Sequence, residues 1–301
     1  MKYRTLGSSS LRCSTLGLGG LHFGTFSDQH ATNEIISKAI DMGINFIDTS
    51  PIYGNGMSEL YIGNAIKNRR GKVIVSTKAG LKPCVNQKGQ FGVEVEILDM
   101  KSIRSSVEKS LNNLNTDYID LFQLHAFDYS TPLEETLNAV DKLIKEGKIR
   151  FVGCSNYNFN ELEKTTNHLT SSERPIFCSL QVHYSLLERR AEGELLKFCR
   201  ENNIGVICNR ALARGILGGR YKSDEDLPLD SRATKSLRIR NLLSCELLEL
   251  VASLNLCARK NGKSMPQLSI SWLWQRSGVA IVLVGVRNPK QLEECADAVD
   301  Y

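Results

Sequence analysis

The sequence predicts an α/β chain folded as a closed (β/α)8 barrel, in one domain spanning residues 1–301. Three observations carry that prediction. Short apolar, β-branched runs alternate about eight times with stretches whose apolar residues recur at helical spacing. No linker or compositional break interrupts the alternation, so nothing divides the chain. Strands separated by amphipathic helices pair in parallel through right-handed crossovers, and eight such units in roughly 250–300 residues fit a closed barrel better than an open sheet.

In chain order, Thr15–Gly20 reads as a glycine-rich strand end, where backbone either turns tightly or lies close to a ligand. It is not G-x-G-x-x-G, so the dinucleotide fingerprint of doubly wound sheets is absent. A helix over about Thr32–Met42 turns Ile35, Ile36, Ala39 and Ile40 inward and stops at Gly43. Asn45–Ile47 is a buried strand ending in Asp48. Tyr53, Gly54 and Gly56 follow, then a helix near Ser58–Lys67 with Tyr61, Ile62, Ala65 and Ile66 on one side. Lys72–Thr77 is a β-branched strand ending in Lys78. A loop containing Gly80, Pro83, Gly89 and Gly92 leads to a helix marked by Ile103, Val107, Leu111 and Leu114. Tyr118–Leu124 is a strand ending in His125. The next helix has Thr131 as N-cap, Pro132 in its first turn, Glu134 closing a capping box and Gly147 past its end. Arg150–Cys154 runs into Ser155 and Asn156, Phe177–Leu180 into Gln181, and Ile204–Cys208 into Asn209 and Arg210. Helical stretches follow over Leu242–Ala258 and Met265–Gln275. The last strand, Ala280–Val284, leads through Gly285 and Arg287 to a helix through Leu292.

Composition bounds the function. The chain is 42% apolar and 24% charged, average for a globular protein able to bury a sizeable core. Its formal charge of +5 is spread out. The basic stretches Arg69–Arg70, Arg189–Arg190 and Arg232–Arg240 are short and lack interleaved aromatics, so nucleic acid is not an expected partner. A mild positive balance suits an anionic cofactor or substrate. The nine cysteines are odd in number and form no C-x-x-C, with Cys154, Cys178 and Cys208 in apolar runs. That pattern fits buried thiols in a reducing compartment. No Cys/His cluster has zinc spacing, so no metal is expected. The first residues lack an apolar signal core and no run approaches a membrane span, which predicts a soluble, cytoplasmic chain without a membrane partner.

In a (β/α)8 barrel the chemistry sits where strands end. Those positions hold Asp48 with Tyr53, then Lys78, His125, Ser155, Asn156, Gln181, Asn209, Arg210 and Gly285–Arg287. Taken singly, each has an ordinary reading as a cap, packing residue or surface charge. Their joint position at one end of the barrel points to a site.

At these positions the sequence resembles the aldo-keto reductase family. Asp48 and Tyr53 lie in Asp-Thr-Ser-x-x-Tyr-Gly-x-Gly-x-Ser-Glu59, Lys78 in Ser-Thr-Lys-Ala-Gly, and His125 in Asp-Leu-Phe-Gln-Leu-His. These look like the family's catalytic tetrad, in order and at matching spacing. The likeness runs nearly end to end, from Leu16-Gly-Leu-Gly-Gly20 to Gly285–Glu294. It implies a TIM barrel and NAD(P)H-dependent reduction of a small carbonyl. Residue chemistry agrees, because such a reduction needs a hydride from nicotinamide and a proton for the developing alkoxide. A free phenol, with a pKa near ~10, donates poorly unless a cation lowers that value. Tyr53 is then the acid, Lys78 the cation, Asp48 its holder, and His125 the donor that orients the substrate oxygen.

The same resemblance assigns Ser155, Asn156 and Gln181 to the nicotinamide carboxamide, with Gly20, Asp48, Asn209 and Arg210 also on the cofactor side. Leu212, Gly215, Leu217 and Arg220 match the pyrophosphate loop, and Gly285, Arg287, Gln291 and Glu294 the adenosine end. Arg287 could pair with a 2′-phosphate, which favours NADPH over NADH. The substrate pocket is expected to use Leu21, Phe23, Tyr53, His125, Phe127 and Tyr184. There are departures from the family. Cys208-Asn209-Arg210-Ala211 has no aromatic ring to stack on the nicotinamide, Ala211 replaces a usual Pro, and Cys295 stands where Asn often follows Glu294. The polar stretch Lys222–Asp230 is read as a loop that folds over the cofactor or stays mobile. The extended C-terminal substrate loop of some family members has no counterpart before Tyr301, so a more open site is expected. Two alternatives stand beside the reductase: an NADPH-binding regulatory subunit resembling potassium-channel β subunits, and a biosynthetic nucleotide-sugar ketoreductase. The oligomeric state is left open.

Overall fold

The computed structural model describes residues 1–85, 91–171, 177–221, 227, 234 and 237–300. Eight parallel strands close into a barrel in the order β3 (Leu16–Gly19), β4 (Phe46–Asp48), β5 (Ile74–Ala79), β8 (Ile119–Leu124), β9 (Ile149–Ser155), β10 (Ser179–His183), β11 (Gly205–Asn209) and β12 (Val279–Val284). The ring is sealed by β12 against β3, with Val282 opposite Leu16 and Val284 opposite Leu18. Ahead of the barrel, β1 (Tyr3–Thr5) and β2 (Arg12–Ser14) form an antiparallel hairpin.

Side chains along a strand alternate between barrel lumen and helix layer, and this sorts the interior into tiers. Phe46, Ile74, Leu121, Phe151, Ile207 and Ile281 meet in one cluster, closed by Leu6, Leu11 and Cys13 of the N-terminal hairpin segment. Two residues further along the same face the lumen turns polar, with Asp48, Ser76, Gln123 and Asn209. Two further again come Lys78 and His125. The other strand face, carrying Ile47, Val75, Phe122, Val152 and Val282, packs against the surrounding helices. Within the lumen, an apolar floor below a polar tier gathers the hydrogen-bonding side chains of the described strands at the C-terminal mouth.

The helices start where short polar side chains can take up free backbone N–H groups. Asp28 accepts from Ala31 at 2.9 Å and Asp99 from Ser102 at 2.7 Å. Ser264 and Gln267 form a full capping box. The box expected at Thr131 does not form. Pro132 occupies the cap position of the helix Leu133–Lys145, and the Thr131 hydroxyl donates to Asp128 instead. Asp128 also accepts from the N–H groups of Leu98 and Ser130, and is held down at about 2 against the cost of its partial burial.

The expected loop after Lys78 is a second correction. Residues Leu81–Val85 (β6) and Phe91–Val95 (β7) pair as an antiparallel hairpin outside the barrel order. Pro83 is tolerated because a two-stranded ribbon is all edge. Most of the Lys222–Asp230 stretch, together with Tyr301, lies outside the described residues. Among the described residues no helix is long and apolar enough to cross a membrane.

Candidate active site

The stretch after β4 builds the centre of the site. Asp48 ends the strand, and the chain turns through Tyr53 into three consecutive left-handed residues, Gly54 (φ 56°), Asn55 (φ 53°) and Gly56 (φ 89°). Glycine and asparagine accept this backbone region at least cost, so the Gly-Asn-Gly run lets the loop reverse and start the helix Met57–Ile66. Ser58 and Glu59, from the same motif, anchor the turn. Ser58 Oγ donates to Gly20 O at 2.8 Å, and buried Glu59 accepts from Thr77 Oγ1 at 2.7 Å and Asn113 Nδ2 at 2.9 Å.

Lys78 is 0% exposed and Asp48 3%. Lys78 Nζ lies 2.8 and 2.7 Å from the two Asp48 oxygens and 2.8 Å from Thr49 O, and donates to all three. The ammonium also sits 5.2 Å from the centre of the Tyr53 ring. Asp48 Oδ1 additionally accepts from Gln181 Nε2 at 2.9 Å and Gln123 Nε2 at 3.2 Å. The His125 ring is edge-on to Tyr53, with centres 6.3 Å apart.

Electrostatics follow from enclosure. The Lys78 pKa is raised: burial opposes the charge, but Asp48 and the Tyr53 phenol outweigh it. The Tyr53 phenol is also raised, because burial exceeds the lowering by Lys78 and a smaller lowering by Arg210. This differs from the simple expectation that the lysine brings the phenol down. Burial, then Lys78 and His183, pushes His125 well below its ordinary value, so its ring is neutral at pH 7. His183 is pushed down to about 4 by burial and by Arg210 and Arg214.

These groups open onto a cavity of about 520 Å³ at the mouth of the barrel. Of the residues singled out in the sequence, Gly20, Leu21, Asp48, Tyr53, His125, Asn156, Gln181, Asn209, Arg210, Leu212, Gly215, Arg220, Gly285, Arg287, Gln291 and Glu294 line it. Lys78, Ser155 and Leu217 are fully buried and do not line it. Phe23, Phe127 and Tyr184 are kept away from it. Phe23 is enclosed in the core, Phe127 packs between Tyr129 and Tyr157, and Tyr184 lies against Trp272 with its hydroxyl on Glu192 at 2.7 Å. The apolar lining comes instead from Ile52, Leu81 and Val93, with His22 and His183 beside them.

Gln123 was missed as a member of the site, although its signal was present. It precedes His125 by two residues on a strand, which puts both on the lumen face. Asn156 adopts φ 61°, and its Nδ2 donates to His125 O at 2.9 Å, tying the two strand ends together. At the far end Arg287 lies over the Phe26 ring at 5.1 Å, and its N–H donates to Gln291 Oε1 at 2.9 Å. Four arginines line the cavity: Arg210, Arg214, Arg220 and Arg287. Glycine backbone lies between them, at Gly215 and Gly218, where an added Cβ would meet nothing within 4 Å. This donor set fits an extended polyanion such as a dinucleotide. Among the described residues no group of three or more His, Cys, Asp or Glu is placed to hold a metal ion.

A parallel barrel with a phenol, an imidazole and a buried lysine–aspartate pair at its mouth defines a TIM-barrel protein equipped for proton transfer. The family model described as the aldo/keto reductase family matches residues 15–301, and the chain belongs to that family, whose members are oxidoreductases acting on carbonyl substrates. It is 32% identical over 308 residues to aldo-keto reductase YhdN of Bacillus subtilis (strain 168), covering 100% of this chain and 89% of that protein. It is also 32% identical over 298 residues to the NADP(+) aldo-keto reductase yakc of Schizosaccharomyces pombe, covering 97% and 84% of the two chains. Over 313 residues it is 32% identical to the L-glyceraldehyde 3-phosphate reductase of Escherichia coli (strain K12), covering 100% and 88%.

Proposed function

We propose that the protein reduces an aldehyde or ketone to an alcohol with NADPH, using Tyr53 as general acid. The observation that carries this reading is the opening of Tyr53 and His125, backed by the Lys78–Asp48 pair, onto one cavity that is also lined with arginines. NADPH, when bound, supplies the hydride from its nicotinamide. The other tasks belong to the chain. Tyr53 gives its proton to the substrate oxygen as that oxygen becomes an alkoxide. The transfer is downhill even from a raised phenol, because an alkoxide is the stronger base. Lys78 stabilises the phenolate left behind, and Asp48 keeps Lys78 charged and in place. Ser50 Oγ lies 3.4 Å from His125 Nδ1. With the Ser50 hydroxyl donating there, the neutral ring keeps its proton on Nε2 and presents it to the substrate carbonyl.

Arg287, beside Gln291 and Glu294, supports NADPH over NADH through its charge toward a 2′-phosphate. Gln181, Asn156 and Ser155 are assigned to the carboxamide end, and Leu212, Gly215, Leu217 and Arg220 to the pyrophosphate. The test is equilibrium titration of NADPH and NADH, followed by turnover on a carbonyl panel, for the wild type and Tyr53→Phe. Both proteins are expected to bind NADPH, with kcat in the variant reduced by about 10²–10⁴-fold. NADPH binding without turnover on any aldehyde, ketone or nucleotide-linked keto-sugar would replace this reading with a regulatory, cofactor-sensing one.

A further inference from the structure

The end of β11 carries Asn209 where the family resemblance leads one to expect an aromatic ring. Asn209 Nδ2 donates to Gln181 Oε1 at 3.0 Å, and Gln181 Nε2 donates to Asp48 Oδ1 at 2.9 Å. The contact follows from topology. Gln181 is paired with Ile207 on the adjoining parallel strand, and Asn209 lies two residues on, on the same face.

A primary amide has a donor end and an acceptor end, and the two must be assigned opposite ways. Gln181 is 1% exposed, so solvent does not satisfy either end. A carboxylate only accepts, so Asp48 requires Nε2. Oε1 must then face a donor, and Asn209 supplies it. Asn209 Oδ1 is itself buried without a hydrogen-bond partner, so of its own amide only the donor end is engaged. A stacking ring at this position would present a π face and no such N–H.

We propose that Asn209 is a positioning residue for the proton donor, fixing the Gln181 amide on Asp48 and thereby holding Lys78 against Tyr53. The proposal rests on the reductase reading and adds a residue to it. Chemically, it makes the wall that faces the nicotinamide and the device that sets the acid one connected chain, Asn209–Gln181–Asp48–Lys78. Removing the Asn209 donor leaves Gln181 Oε1 without a partner from the chain, which frees the amide to turn away from Asp48. Asp48 then draws Lys78 more strongly to itself, and the pull of the ammonium on the phenol weakens.

The experiment measures kcat, KM and their pH dependence for the wild type, Asn209→Leu and Asn209→His, with NADPH dissociation constants from equilibrium fluorescence. Asn209→Leu is expected to lower kcat about tenfold near neutral pH, with carbonyl KM and NADPH affinity changed less than about threefold. The basic limb of its kcat profile is expected to move upward by about half a pH unit. Asn209→His, which keeps an N–H within reach of Gln181, should recover most of both effects. In a Gln181→Met background, Asn209→Leu should add nothing further. An unmoved pH profile, with the loss confined to NADPH affinity or KM, overturns the proposal and makes Asn209 a wall residue only. Wild-type protein that neither binds NADPH nor oxidises it fails at the earlier step, and takes the reductase reading down together with this one.

Discussion

Two buried carboxylates stand at opposite ends of the barrel, one held by a single cation and the other by two. At the mouth, Asp48 is held by Lys78, Gln123 and Gln181, all of them enclosed. At the base, Asp120 accepts from Arg70 Nη2 at 2.7 Å, Arg150 Nη1 at 3.0 Å and the Val75 N–H at 3.0 Å. The Tyr118 ring is sandwiched between the two guanidinium groups, at 4.0 and 3.7 Å. The difference lies in where the cation can go. Arg70 and Arg150 have side chains 15% and 50% exposed, so the base clamp is redundant and wet at its edge. Lys78 has one carboxylate and a phenol beside it, and its side chain is 0% exposed. A charge enclosed in that way acts on its neighbour with little screening, which makes the upper pair useful for chemistry and costly to break.

The largest effect is expected from Lys78→Met. It removes the cation from Tyr53 and leaves Asp48 buried and unpaired, so turnover should vanish and stability fall by about 3–5 kcal/mol. Denaturant unfolding, together with NADPH oxidation, checks both. Adding Asp48→Asn should return most of the stability and none of the activity, and a double variant as unstable as the single one would mean that the pair is not what Lys78→Met breaks. Asp120→Ala comes next. It strands the Val75 N–H but leaves its arginines near water, for an expected loss of about 1–3 kcal/mol. Its kcat per folded molecule should match the wild type. A tenfold fall would show that the two ends of the barrel are coupled.

The two ends were not equally legible in the sequence. The mouth could be read because strand-end positions are defined by apolar runs, and Asp48, Lys78 and His125 each close one. The base could not, since Asp120 lies within a strand and its partners Arg70 and Arg150 are far from it in sequence. Both hairpins escaped for a related reason. β1 and β2 are three residues each, too short for a period of two to declare itself, and β6 contains Pro83 and lies close to Gly80. Of the six pocket candidates, Phe23, Phe127 and Tyr184 are the ones that do not line the cavity. Sequence position puts these rings near strand ends, but which way Tyr184 turns is decided by Glu192 and Trp272.

The mouth also carries two histidines held neutral, which the base lacks, and this separates the ends by pH. His125 is held well below 6.5 and His183 at about 4. A base whose folded pKa is depressed takes up its proton first in the unfolded chain. Stability from this source is therefore intact above about pH 6.5 and lost as the pH falls toward 4. On the alkaline side Tyr53 and Lys78 are both raised, so the unfolded chain releases those protons first and stability falls again above about pH 10. Unfolding midpoints from pH 7.5 to 4.5 should drop less steeply in His183→Asn than in the wild type. Parallel curves would remove His183 from the account.

The smallest expected effect sharpens the comparison most. Arg150 makes an ion pair with Asp120 at 3.0 Å and stacks on Tyr118, yet half of its side chain faces water. Such pairs are screened and entropically costly, and Arg70 remains to hold Asp120 when Arg150 is gone. Arg150→Ala should therefore cost no more than about 1 kcal/mol and leave kcat and NADPH affinity unchanged. A loss approaching that of Lys78→Met would mean that the base clamp is as enclosed as the pair at the mouth. The two carboxylates would then differ only in having, or lacking, a phenol within reach.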